Sequence, residues 1–90
     1  MTEATHQPVF DRLADLREAL RAAPSPDAER ALYHCDRLEQ ALTHWHAEAI
    51  RFAAYTINHI ITAPDSGTGE AVRQRVGELR AALADAGHTF

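Results

Sequence analysis

Between Pro26 and Ala63 the chain has no internal proline or glycine and carries apolar residues at helical spacing throughout. Read as one helix at 1.5 Å per residue, this stretch is about 57 Å long. A compact domain of 90 residues is only about 30 Å across. Such a rod either projects beyond any single globule and is completed by a second chain, or it turns back on itself. One seam of the rod holds Ala31, Cys35, Leu38, Leu42, Trp45, Ala49, Phe52 and Thr56 at spacings of three and four. In its second half the apolar arc widens to take in Ile50, Ala53, Ile57, Ile60 and Ile61, and a broad arc requires more than one packing partner.

The flanking segments read as two shorter amphipathic helices. Residues 8–23 place Val9, Leu13, Leu16, Leu20 and Ala23 on a heptad seam, with Pro8 suited to a first helical turn. Residues 69–86 repeat the pattern with Val72, Val76, Leu79, Leu83 and Ala86, and Gly87 suits the position just past a helix end. Gly77 falls inside this run, where it costs about 1 kcal/mol against alanine; a close approach of another backbone would explain it. Ser25 and Pro26 make a start signal for the long helix, an N-cap followed by a proline in the first turn. Pro64, Gly67 and Gly69 end it, with Ser66 or Thr68 as a cap for the last helix. Residues 1–7 are polar, lack periodicity and are expected to be flexible.

The expected architecture is all-α: one helical domain over residues 8–90, with helices of about 8–23, 26–63 and 69–86 in a short-long-short order. The two short helices fold back along the two halves of the long one as an antiparallel bundle. A 90-residue chain buries only about 60% of the surface its unfolded form exposes, and one chain arranged this way leaves much of the isoleucine-rich arc bare. Completion by a homodimer is therefore expected, with Trp45, Ala49, Ile50, Phe52, Ala53, Ile57, Ile60 and Ile61 at the interface. The alternative is a break between Thr43 and His46, which turns the rod into two helices and the single chain into a four-helix bundle. No glycine or proline marks such a break, although Thr43 and the histidines beside it weaken helix propensity.

The formal charge of −4 spreads over 13 acids and nine basic residues, all arginine. No basic stripe suited to phosphates emerges, so nucleic-acid binding is not expected. The most apolar window, residues 47–63, contains Glu48, Arg51, Asn58 and His59 and is too polar and too short to span a bilayer. The N-terminus has the features of no secretion signal, and one cysteine builds no internal disulfide framework, so a soluble cytoplasmic protein is expected.

Six histidines are the one excess that points to chemistry. His44 and Glu48, four apart, share a helical face, and His46 with Glu39 would approach their symmetry mates in an antiparallel dimer. His46, Glu39, His44 and Glu48 thus form the candidate transition-metal set. The Glu-x-x-His pairs of bundle di-iron sites have one counterpart here, Glu3 to His6, in the N-terminal head. His34 and His59 read as rim residues, and Cys35 as a buried thiol. No catalytic constellation stands out and no cofactor is expected. The functional expectation is a small non-enzymatic interaction protein: an adaptor, regulator or assembly subunit acting as a homodimeric bundle. The alternative is a bundle with a His/Glu metal site for storage, sensing or redox work.

Overall fold

The computed structural model describes residues 6–89, and these form four helices with no strand among them. They are α1 (Gln7–Ala22), α2 (Pro26–Thr43), α3 (Ala47–Thr62) and α4 (Gly69–Asp85). Chain neighbours run antiparallel in an up-down-up-down bundle of 43 × 20 × 18 Å. The most extensive seams join α2 to α3 and α1 to α4, while the backbones of the diagonal pairs stay further apart.

The expected continuous helix over 26–63 is therefore corrected to two helices joined by His44, Trp45 and His46. The joint is a Schellman closure. The His46 amide donates to the Ala41 carbonyl at 3.0 Å and the Trp45 amide to the Leu42 carbonyl at 3.3 Å. Trp45 takes the left-handed position, at φ +55°. Glycine usually fills that position, and an L-residue there costs roughly 1–2 kcal/mol. Helix α4 ends in the same motif with glycine in place: the Gly87 amide bonds the Ala84 carbonyl at 3.0 Å and the His88 amide bonds that of Leu83 at 2.8 Å, with Gly87 at φ +93°. The sequence marks the second stop and hides the first.

The turn also resets the helical phase. The seam of α2 (Ala31, Cys35, Leu38, Leu42) is buried as read, but its extension through Trp45, Ala49, Phe52 and Thr56 is not the core row of α3. That row is Ile50, Ala53, Ala54, Ile57, Ile60 and Ile61, all at most 5% exposed. These isoleucines pack against Leu13, Leu16, Leu38, Leu79 and their neighbours in one core. Of the expected dimer interface, Ile50, Ala53, Ile57, Ile60 and Ile61 are thus covered by their own chain, and the bare arc that called for a second copy does not exist. Trp45 and Phe52 are exposed, and Ala49 is half-buried.

The heptad seams of α1 (Val9, Leu13, Leu16, Leu20) and α4 (Val72, Val76, Leu79, Leu83) are buried as expected. Ser25 caps α2 by accepting from the Ala28 amide at 3.0 Å. Ahead of α4, the hydroxyls of Ser66 and Thr68 bond each other at 2.9 Å, and the Gly67 amide reaches across to Asp27 at 3.3 Å. Arg17 ties α1 to α2, donating to Glu39 at 2.6 Å and Asp36 at 2.7 Å. Both carboxylates are about half exposed or more, so the tie contributes on the order of 1 kcal/mol at most. The head expected over 1–7 is also corrected in part. Gln7 opens α1 and His6 is buried, while residues 1–5 lie outside the described residues.

Gly77 has no backbone against it. A Cβ built there meets nothing within 4 Å, and the residue sits exposed inside α4. Gly77→Ala should therefore raise stability by about 1 kcal/mol through helix propensity alone, measured by urea denaturation with an unchanged m-value. Ile57→Ala, at a fully buried site, should lower it by about 2–5 kcal/mol. That is a large part of the roughly 5–15 kcal/mol that holds a small domain folded.

Candidate functional site

The four large apolar side chains left in solvent are Tyr33, Trp45, Phe52 and Tyr55, each 54–68% exposed. All lie on α2, α3 or the turn between them; the described residues of α1 and α4 leave none outside. The phase reset explains part of this. Rows that would have been core in a continuous helix now face outward along the α2–α3 hairpin.

On that outer face the two helices enclose an open groove of about 300 Å³, a size at the small end of ligand sites. From α2 come His34, Arg37, Gln40, Ala41 and, just past its end, His44; from α3 and its cap come His46, Ala49, Phe52 and Ala53. Ala41 and Ala53 are buried and Ala49 half-buried. These small side chains let the backbones approach and form the floor. Around it stand three imidazoles, one guanidinium, one amide and one phenyl ring. None of the nine lining residues is acidic, although acids outnumber arginines in the whole chain.

Several of these groups are held in place. The Arg37 guanidinium lies 5.8 Å from the centre of the Tyr33 ring and donates to its hydroxyl at 3.4 Å. The Tyr33 ring meets His34 edge-on, with centroids 5.1 Å apart. His46 is the N-cap of α3: its Nδ1 accepts from the Ala49 amide at 3.3 Å, which assigns its proton to Nε2. Burial, then the nearby cations Arg37 and Arg30, lowers the pKa of His34 from its ordinary value near 6.5. Arg37 is the one permanently charged side chain in the groove lining.

The expected metal set is not drawn together as one group, although His44 lines one groove with His46 and a neighbouring depression with Glu39. Glu39 is bound to Arg17 on the α1 side, His46 spends Nδ1 on its cap, and His44 and Glu48 are exposed. Among the described residues no group of three or more His, Cys, Asp or Glu side chains is gathered so as to hold a metal ion. Glu3 lies outside the described residues, whereas its partner in the Glu-x-x-His pair, His6, is buried among other groups. Cys35 faces the core as expected, and burial pushes its thiol up to about 12, so it offers no thiolate at neutral pH.

His34, Arg37 and Gln40 were not singled out from sequence as a site. The signal was present, since 34, 37, 41 and 44 follow the three-four-three spacing of one helical stripe. It gains a second wall only once the chain doubles back after His44. No family model, curated protein or solved structure matches the chain. No helix among the described residues is long and apolar enough to cross a membrane.

Because the neutral form of His34 is favoured in the fold, His34 should titrate below about 6.5 when followed by imidazole proton NMR. Arg37→Gln removes one of the cations responsible and should raise that midpoint, while burial keeps it from returning fully.

Proposed function

We propose that this protein is a small non-enzymatic interaction module whose working surface is the outer face of the α2–α3 hairpin, and that its partner presents carboxylate or other anionic groups beside an apolar side chain. The observation that carries this reading is the segregation of Tyr33, Trp45, Phe52 and Tyr55 to one hairpin of a bundle whose aliphatic core residues are otherwise enclosed. Aromatic residues and arginine are the types that dominate binding energy at protein interfaces. Leaving four such rings in water costs solubility without adding to the core. The acid-free groove supports the anionic character of the partner, because Arg37 has no carboxylate among its neighbours in the groove lining. Cys35 supports the non-enzymatic part, since the chain's one thiol is buried and protonated.

A second copy of the chain is one form such a partner can take. Its case now rests on the exposed Trp45 and Phe52, not on the isoleucines. Light scattering at micromolar concentration distinguishes this form from a different partner.

Phe52→Ser and Arg37→Glu alter exposed side chains and should leave unfolding free energy within about 0.5 kcal/mol of the parent. Each should nonetheless weaken the association detected by site-specific photocrosslinking from position 40 by tenfold or more, the about 1.4 kcal/mol expected of an interface anchor. Association that survives both substitutions unchanged refutes this face as the working surface.

A further inference from the structure

At the end of the bundle where α1 begins and α2 and α4 end, three rings meet away from the groove. His6, 4% exposed, stacks on Trp45 with centroids 3.9 Å apart and planes at 25°. Its Nδ1 lies 3.1 Å from the Leu42 carbonyl oxygen, and its Nε2 lies 3.0 Å from Nε2 of His88, just beyond α4. One imidazole thus joins the start of α1, the closing turn of α2, the strained Trp45 and the tail of α4.

The proton count of this cluster is constrained. A carbonyl can only accept, so Nδ1 of His6 carries a hydrogen. Between the two Nε2 atoms one proton must be shared. With both rings neutral, His88 donates from Nε2 to the lone pair of His6. With one added proton in the pair, one Nε2 still donates and the other accepts, so the contact holds. With two, both Nε2 atoms carry hydrogens that face each other at 3.0 Å, and two like charges stand in a poorly hydrated contact. Around the pair, α3 contributes Arg51, a further cation against His88. Helix α2 contributes the neutral Leu42 carbonyl, and the turn contributes the Trp45 ring, flanked in sequence by His44 and His46. Among the interactions of the described residues at this cluster, no carboxylate offsets these charges.

We propose that His6, Trp45 and His88 form a proton-released clasp: uptake of a second proton by the histidine pair parts the tail of α4 from the start of α1 and frees Trp45 from its stack, while the four-helix core persists. Burial, then His6 and Arg51, lowers the pKa of His88 from its ordinary value near 6.5. The sign follows: the neutral form is favoured in the folded state, so the clasp is intact above about 6.5 and opens as pH falls below that value. Opening also loosens the turn that carries His44 and His46, two walls of the groove.

Trp45 is the chain's one tryptophan, so its emission reads the clasp directly. Titrating the full chain from about pH 7.5 to about pH 5, with far-UV circular dichroism recorded on the same samples, should give one emission transition below about 6.5 with helix content unchanged. Acrylamide quenching of Trp45 should rise with it. In His88→Gln, whose amide can still donate to His6 but takes up no proton, the transition should be lost and the high-pH emission retained. His88 is partly exposed and lies beyond α4, so the variant should fold, and its circular dichroism reports whether it does. A flat wild-type titration, a transition that survives in His88→Gln, or one that coincides with loss of helix overturns the clasp.

Discussion

The fold depends on a single reversal of direction. Three residues, His44 to His46, close α2 and start α3, and the geometry of that closure decides which residues of the following helix face inward. A rod continuing past His44 would have carried Ala49, Phe52 and Thr56 along the core row. The turn instead brings Ile50, Ile57 and Ile61 to the core and leaves Phe52 outside. Burying that aliphatic row within one chain outweighs the roughly 1–2 kcal/mol of placing Trp45 in the left-handed region. The stack on His6 recovers part of that cost.

Much of the helical plan can be read from the sequence. The three-four rows of α1 and α4 are buried where periodicity puts them, and Ser25 and Gly87 act as cap and stop. The break after Thr43 is not legible in the same way, because stop signals in sequence are mostly glycine and proline, and here the left-handed residue is a tryptophan. The break is the alternative that the weak helix formers from Thr43 to His46 allow, and in a continuous helix the row through Trp45, Ala49, Phe52 and Thr56 takes the place in the core that the isoleucine row holds in the structure. The histidines show the same dependence. Their number is evident from composition, but whether an imidazole caps a helix, as His46 does, or pairs with another 82 positions away, as His6 does, is decided by tertiary contacts that no local spacing encodes.

The two outer surfaces of the bundle differ in composition. The α1–α4 side shows no large apolar side chain among its described residues, and charged side chains there are joined in short-range pairs such as Arg12 with Asp15 and Arg75 with Glu78. Pairs of this kind, in solvent and one turn apart, add little stability, but they keep that side polar. The α2–α3 side concentrates rings, imidazoles and an arginine around a floor of alanines. A bundle this small has little area to spare, and this polarised distribution gathers its exposed rings on one hairpin.

The contact between His6 and His88 also fixes where the polypeptide enters and leaves the bundle. Segments preceding the first and following the second depart from the same corner, on the side of the fold opposite the 63–68 loop. A short bridge across that corner would join the two into a ring without disturbing the core, and the loop at the far end would then serve as a natural place to reopen it.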